Sequence, residues 1–279
     1  MDRQKSFVDN RPKLYLVSTP IGNLGDITYR AVEILKSVKV CFAEDTRNTK
    51  TLFNHYDIKT PLLAYHEFNK EEEIYKVLGY LDNNDDIALV SDAGNPLISD
   101  PGFLAMRKVI ERGYAVVPIP GPSASLTALT SSNISPTHFY FYGFLNNKPS
   151  KRRKELEVLK IFKDTLIFYE APHRIKETLE DMLDIFGDRF ICLAREMTKK
   201  FEEFIRGNIS DILEVVDELK GEMVLVVSGN QDEIVLDSDP FTLIDDYIEL
   251  GLTKNEAIKK AAKDLKIDKN ILYKEYNNK

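Results

Sequence analysis

The segment Ile87-Ala-Leu-Val-Ser-Asp-Ala-Gly-Asn-Pro-Leu-Ile-Ser-Asp-Pro-Gly102 contains a short apolar run that ends abruptly in a polar turn. The apolar residues Ile87 to Val90 predict a buried strand. The glycine and prolines that follow cannot continue a strand or a helix, and a helical pattern resumes after Gly102. Because open α/β sheets bind ligands at the carboxyl ends of their strands, this turn is predicted to line a binding site.

The same alternation of strand and helix extends along most of the chain. It predicts βαβ units and a mainly parallel sheet, with a break at the proline-rich segment 118–125. We therefore predict an α/β fold with two α/β/α domains, 1–121 and 122–232, whose sheets are mainly parallel or mixed. Further strands are predicted at Leu14 to Val17, Val40 to Ala43, Ala115 to Pro118, His138 to Tyr142, Thr165 to Tyr169, Phe190 to Ala194 and Met223 to Val227, with an edge hairpin at Phe201 to Arg206.

A small helical module is predicted at the end of the chain, over 238–279, after an acidic linker at 231–240. Thr253-Lys-Asn-Glu256 matches a capping box, and the helix after it carries apolar residues on one face. Lys259, Lys260 and Lys263 fall on another face, as expected of a helix-turn-helix-like module that contacts nucleic acid. The alternative is a dimerisation or capping element with a solvated lysine face.

Composition limits the classes of function. The formal net charge of −7 argues against a protein that coats nucleic acid non-specifically, although it permits local basic patches. The two cysteines lie in separate apolar runs and the four histidines are scattered, so no metal site is predicted. No apolar run is long enough for a membrane span, and the first residues lack an apolar signal core, so we expect a cytoplasmic protein without membrane contact.

Polar residues recur where predicted strands end. The turn Thr19 to Gly25 is not the dinucleotide pattern GxGxxG, and Gly121 to Ser125 is not GxSxG. Three further strand tips carry charged residues: Ala43 to Arg47, Phe168 to Arg174 and Ala194 to Lys199. Each has a simpler interpretation as an ordinary turn, a helix cap or a structural ion pair.

The densest basic cluster is Lys148-Pro-Ser-Lys-Arg-Arg-Lys154, with five cations in seven residues. Contact with nucleic-acid phosphates is the functional interpretation, and a solvated helix start is the alternative. The residues predicted to contact RNA are Lys148, Lys151, Arg152, Arg153 and Lys154, together with Lys259, Lys260 and Lys263 of the helical module.

Seven motifs, taken together and in this order, carry a resemblance to a known family: Thr19-Pro-Ile-Gly-Asn-Leu, Ala43-Glu-Asp-Thr-Arg47, Ser91-Asp-Ala-Gly, Gly121-Pro-Ser-Ala, Phe168-Tyr-Glu, Ala194-Arg-Glu-Met-Thr-Lys199 and Gly221-Glu-Met-Val. Over about residues 13–230 the chain resembles the ribosomal RNA small subunit methyltransferase I family of the tetrapyrrole-methylase-like superfamily. The helical tail resembles the terminal module of that family. One departure is Asn95, where the family usually has threonine.

The resemblance implies a homodimeric, S-adenosylmethionine-dependent enzyme that methylates the ribose 2′-hydroxyl of a cytidine in the decoding centre of small-subunit (16S) ribosomal RNA, within the 30S subunit. It implies methyl-donor contacts from the first and second halves of the chain: Pro20, Asp92, Ala93, Gly94, Asn95, Ser123, Ala124, Tyr169, Ala194 and Met223. A base or a nearby cation would assist a weakly acidic hydroxyl. The unranked candidates are Glu170, Asp100, Glu44, Arg47 and Lys199.

Two other functions are consistent with the sequence. A tetrapyrrole or other small-molecule methyltransferase of the same superfamily would share the donor cleft without needing the basic elements. A non-catalytic RNA-binding assembly protein would keep the basic elements and bind no methyl donor.

Overall fold

The computed structural model describes residues 3–8, 10–65, 70–100, 102–231, 239–249, 252–265 and 267–277. Residues up to Asn230 form one compact unit, and the rest of the chain forms a second. The predicted helical module lies in this second unit. Most of the predicted linker 231–240 lies outside the described residues, as does Pro101.

The first sheet is parallel throughout, with strand order β3-β2-β4-β1-β5. Helices α1 and α2 pack on one face with Val17 and Val90, while α3 and α4 pack on the other with Phe42 and Leu89. Its elements are β1 (Lys13–Val17), α1 (Tyr29–Ser37), β2 (Val40–Ala43), α2 (Thr46–His55), β3 (Leu62–Ala64), α3 (Lys70–Asp82), β4 (Ile87–Val90), α4 (Phe103–Glu111) and β5 (Ala115–Ile119).

This strand order creates a switch point between β1 and β4. The connection after β1 runs by α1 on one face towards β2, whereas the connection after β4 runs by α4 on the other face towards β5. The two loops therefore diverge at the carboxyl edge of adjacent strands and leave a crevice there, which is the usual ligand position in this type of sheet.

The second sheet is mixed, with order β6-β7-β10-β8-β9; among its described strands β6 and β7 are parallel neighbours, and the other neighbouring pairs are antiparallel. The edge strand predicted near Phe201 is confirmed as β9, which pairs antiparallel with β8. The elements are α5 (Ala124–Ser131), β6 (Phe139–Phe144), α6 (Pro149–Leu159), β7 (Thr165–Glu170), α7 (Ile175–Phe186), β8 (Phe190–Arg195), β9 (Glu203–Asn208), α8 (Ile209–Val215) and β10 (Met223–Val227).

The two faces of the second sheet separate by alternation along β7, β8 and β10. Phe168, Leu193 and Leu225 pack in the core beneath α6, α7 and α8. The residues next to them in sequence, Tyr169 and Ala194 among them, lie on the opposite face with α5. Ile21, from the loop after β1, belongs to that second cluster, so this face of the sheet meets the switch-point loops of the first sheet.

The helical module contains α9 (Pro240–Glu249), α10 (Lys254–Asp264) and α11 (Lys269–Asn277) around its own small core. The predicted capping box at Thr253 and Glu256 is confirmed. Asp268 caps α11 by accepting a hydrogen bond from the Ile271 amide at 3.1 Å, as a helix N-cap requires.

Candidate functional site

Backbone pairing joins the two loops at the switch point. The Thr19 amide donates to the Gly94 carbonyl at 2.9 Å, and the Gly94 amide donates to the Thr19 carbonyl at 3.0 Å. Gly94 has φ +78°, a left-handed conformation in which side chains are strained. The turn predicted to approach a ligand is therefore built on a residue for which glycine is the least strained choice.

Asn95 extends this pairing to the loop after β5. Its side-chain oxygen accepts a 2.6 Å hydrogen bond from Ser18, and its amide nitrogen donates to the Pro122 carbonyl at 3.2 Å. The loops that follow β1, β4 and β5 are thus fastened together. The Asn95 side chain makes both of these hydrogen bonds, one through its oxygen and one through its nitrogen. This accounts for an amide side chain at a position where the related family usually has threonine.

Non-glycine residues with left-handed backbone follow immediately in the same loop. Leu97 has φ +74° and Ser99 has φ +65°. Such conformations cost about 1–3 kcal/mol each and concentrate at functional sites. The Ser99 hydroxyl also lies 3.2 Å from the position that a Cβ on Gly143 of β6 would occupy, so this loop reaches the edge strand of the second sheet.

Asp100 lies at the end of this loop, and its environment changes its acidity. Partial burial raises the pKa of Asp100 to about 6; a hydrogen bond with Ser91 opposes the rise, and the charge of Asp92 adds to it. At neutral pH the group is a carboxylate poised to accept a proton. Among the catalytic candidates, Asp100 has the acidity expected of a general base.

Tyr169 connects Asp100 to the second sheet. Burial raises the pKa of Tyr169, a hydrogen bond with Ser125 opposes the rise, and the charge of Asp100 contributes to it. Tyr169 packs in the same cluster as Ala124 and Ala194. Sequence reasoning missed Ser125 and Ser91 as individual site residues; their positions in strand-tip motifs were the available signal.

Glu170 differs from its prediction as a catalytic candidate. It is 3% exposed on the α7 side of β7, opposite to its neighbour Tyr169. Its carboxylate accepts hydrogen bonds from the Thr178 hydroxyl at 2.7 Å and the Ala171 amide at 2.9 Å, and Arg174 lies 3.4 Å away. The alternation of side chains along a strand thus directs Glu170 into a structural network away from Asp100.

The same alternation changes the expectation for Met223. Its side chain packs in the α7-side core, and its neighbour Val224 lies on the face that carries Tyr169 and Ala194. Val224 therefore replaces Met223 as the side chain on the site face of β10.

Lys199 lies in the turn after β8 and packs against the loop that follows β1. A Cβ on Gly22 would lie 2.6 Å from Lys199 Cγ, so a side chain there would collide with it. Burial works to lower the pKa of Lys199, but hydrogen bonds to Glu222 at 2.8 Å and Glu196 at 3.1 Å raise it overall. Lys199 is thus held as a cation and is unsuited to act as a base.

Glu44 and Arg47 lie at the start of α2, beside the crevice. Arg47 is mostly exposed and pairs with Asp45 at 2.6 Å, and hydrogen bonds from Arg47 lower the pKa of Asp45 to about 2. Asp92 accepts from the Asp45 amide at 3.0 Å and from Asn48 at 2.9 Å. The structural ion pair considered for this motif is therefore present, and the hydrogen bonds that Asp92 accepts tie the start of α2 to the loop after β4.

A small cavity lies between α2 and these loops. Its volume is about 110 Å³, well below the several hundred expected of a complete small-molecule site, so it is one compartment of the crevice. Two predicted donor-binding residues, Pro20 and Asp92, both line it. Its remaining lining residues are Thr19, Leu24, Asn48, Thr49, Thr51, Leu52 and Ser91.

The basic cluster at the start of α6 divides into two parts. Arg152 is 2% exposed and pairs with Asp181 of α7 at 2.6 Å, so it belongs to the protein interior and is removed from the predicted RNA surface. Arg153 is partly exposed but also pairs with Asp181, at 2.7 Å. The exposed cations are Lys148, Lys151 and Lys154. In the helical module Lys259, Lys260 and Lys263 are exposed as well.

Within the described ranges, no cluster of three or more histidine, cysteine or acidic side chains could hold a metal ion. No described helix combines the length and apolar character needed to cross a membrane.

The fold is that of solved methyltransferase structures. A cobalt precorrin-4 methyltransferase of cobalamin biosynthesis matches 77% of this chain and 94% of its own, with a TM-score of 0.60 and 15% identity. The uroporphyrin-III C-methyltransferase of Thermus thermophilus, solved with S-adenosyl homocysteine, matches 77% of this chain and 97% of its own, with a TM-score of 0.58 and 16% identity. At these identities the likeness concerns the fold.

The sequence model of the tetrapyrrole (corrin/porphyrin) methylases matches residues 13–213, and the chain belongs to this family. More similar relatives carry a narrower name. Ribosomal RNA small subunit methyltransferase I of Bacillus subtilis is 50% identical over 95% of this chain and 94% of its own length. The protein of the same name from Halalkalibacterium halodurans is 45% identical over 99% of both chains.

Proposed function

We propose that this protein transfers a methyl group from S-adenosylmethionine to the ribose 2′-hydroxyl of a cytidine in small-subunit (16S) ribosomal RNA. One observation carries the choice of RNA over a tetrapyrrole. The tetrapyrrole methylase match ends at residue 213, whereas the ribosomal RNA methyltransferase relatives match up to the full chain, including the helical module. The proposed setting is a cytoplasmic homodimer that acts on the 30S subunit.

The residues at the crevice fit an adenosyl methyl donor. At Gly94 the backbone is free of a side chain beside the paired loops, and the partly buried Ala124 supplies a small apolar surface. The Thr198 hydroxyl oxygen is buried without a hydrogen-bond partner and lies 2.8 Å from the position of a Cβ on Gly22. A buried polar group without a partner is costly, so a ligand that satisfies it would gain affinity.

In the proposed reaction the bound donor supplies a sulfonium-activated methyl group with a neutral thioether as leaving group. The chain's main tasks are to hold the ribose oxygen in line with that methyl and to remove its proton. Asp100 is the proposed acceptor of that proton, because its raised pKa is closer to the working pH than that of an ordinary carboxylate. Tyr169, which is hydrogen-bonded to Ser125 and experiences the charge of Asp100, is proposed to position the reacting groups.

The proposed RNA contacts come from exposed cations. Lys148, Lys151 and Lys154 form one set at the start of α6, and the three module lysines form another. Lys260 also lies over the Tyr247 ring at 4.4 Å, an interaction that holds the amine near the surface of the module.

The test is a methyl-transfer assay with labelled S-adenosylmethionine and 30S subunits from cells that lack the protein. We expect incorporation into 16S RNA at one nucleotide, with mass spectrometry placing the methyl on a cytidine ribose. A porphyrinoid substrate serves as the parallel arm. Methylation of the porphyrinoid and not of the RNA, or absence of donor binding by calorimetry, would contradict the proposal.

A further inference from the structure

An irregularity in β6 aims an aromatic ring at the proposed site. In the pairing of β6 with β7, Phe141 lies opposite Ile167 and Phe144 lies opposite Tyr169, so three steps along β6 match two along β7. Gly143, at the irregularity, has φ +84°. This β-bulge reverses the alternation, and Phe144 comes to lie on the same sheet face as Phe141 and Tyr169. In a regular strand Phe144 would face α6 and α7.

The ring of Phe144 is exposed beside the proposed catalytic groups. Phe144 is 54% exposed, and its ring centroid lies 5.5 Å from that of Tyr169, at an interplanar angle of 66°. Tyr169 in turn is hydrogen-bonded to Ser125 and experiences the charge of Asp100, and the Ser99 hydroxyl lies 3.2 Å from the position of a Cβ on Gly143, the residue before Phe144. A single exposed phenylalanine is common on protein surfaces and carries little by itself. Here the bulge and the packing against Tyr169 fix the ring at the edge of the crevice.

We propose that Phe144 is the stacking surface for the base of the nucleotide whose ribose is methylated. This inference rests on the proposed function. Proteins that select a particular site in RNA mostly target unstacked nucleotides and stack their bases on aromatic side chains, and an enzyme that modifies one ribose beside Asp100 would hold its nucleotide in this way. Stacking on a ring accepts any base, so Phe144 would select for an unpaired nucleotide rather than for a sequence.

The experiment measures kcat/KM for 30S subunits with the variants Phe144→Ala, Phe144→Leu and Phe144→Tyr. Loss of one base–aromatic stack predicts a fall of about 5- to 150-fold for the alanine and leucine variants. The tyrosine variant should stay close to wild type. Leucine keeps an apolar side chain against Tyr169, so a deficit in that variant isolates stacking from packing. Phe139→Ala is the matched control, because Phe139 is 43% exposed at the other end of the same strand.

Two further readouts separate this inference from its alternatives. The dissociation constant for S-adenosylmethionine should be unchanged in all variants, since Phe144 is assigned to the base and not to the donor. With reconstituted subunits whose target nucleotide lacks its base, wild type and Phe144→Leu should be equally slow. Equal activity of Phe144→Leu and wild type on normal subunits, or a deficit that persists undiminished on the abasic subunits, would overturn the inference. The proposed function itself fails only if the wild-type protein does not methylate the RNA.

Discussion

Replacing Asp100 by asparagine should stabilise the protein while it abolishes methyl transfer. Burial raises the pKa of Asp100 from 3.8 to about 6, so the folded protein holds the carboxylate less favourably than the unfolded chain does. A difference of roughly two pKa units corresponds to at most about 3 kcal/mol. Because the carboxylate is half exposed, solvent screening reduces the expected cost to on the order of 1 kcal/mol.

The raised pKa of Asp100 also determines how the stability gain of the variant changes with pH. A group whose folded pKa is raised contributes stability below its unfolded pKa, and that contribution is lost as pH rises through the folded pKa. Asp100→Asn should therefore raise the melting temperature by roughly 2–4 °C at pH 8, with a gain that shrinks progressively as the pH falls from 6 to 4. In the wild type, kcat/KM for RNA should fall below about pH 6, where Asp100 becomes protonated.

The assays are thermal unfolding across pH and the pH–rate profile with 30S subunits. A variant that is less stable than wild type at pH 8 would refute the assignment of a destabilising buried carboxylate. A variant that retains its kcat would instead remove Asp100 from the role of base, and it would leave the stability argument intact.

Four other variants test the remaining site assignments. Glu170→Gln should leave kcat near the wild-type value and lower the free energy of unfolding by roughly 1–3 kcal/mol, because it disturbs a buried hydrogen-bond network. A loss of kcat without loss of stability would instead indicate a catalytic role for Glu170. Gly94→Ala should weaken S-adenosylmethionine binding through backbone strain of about 1–2 kcal/mol and not through collision, since the nearest atoms lie 3.5 Å away; calorimetry that finds an unchanged affinity contradicts this. The double variant Lys151→Glu, Lys154→Glu should reduce the slope of log binding constant against log salt concentration by roughly 0.7–0.9 for each phosphate that is no longer neutralised. An unaltered slope would exclude α6 from the RNA surface. Arg152→Glu should instead impair folding, because Arg152 is paired with Asp181 in the interior.

The period of the sequence pattern explains which parts of the fold were predictable. Buried strands such as β4 and β10 are continuous apolar runs, and their ends are marked by turn residues. Helix α2 and strand β3 were missed. The α2 sequence is mostly polar, and its buried face consists of Thr49, Leu52 and Phe53, which is too small an apolar set to stand out; β3 has three residues. The helical sequence pattern extends from Ile209 to Leu219, but α8 ends at Val215 and a 3-10 turn follows it.

The sequence predicted which motifs contribute to the site, but not on which face of a strand or helix each side chain lies. Phe168-Tyr-Glu was correctly placed at a strand tip, yet only pairing with β10 and β8 decides that Tyr169 faces the crevice and Glu170 faces α7. Arg152 shows the same limitation in a helix, because its burial depends on Asp181, 29 positions away. The bulge that turns Phe144 towards Tyr169 depends on pairing between strands, which local sequence does not encode.

The fastening of Thr19 to Gly94, and of Asn95 to Ser18 and Pro122, has a consequence for the energetics of ligand capture. Loops already fixed by the folding of the first sheet lose little freedom when a small molecule arrives, so the interactions made with it appear almost fully as affinity. Most of the conformational entropy lost on forming the complex is then lost when the larger and more mobile nucleic acid binds. Substrates are therefore distinguished at that second binding step.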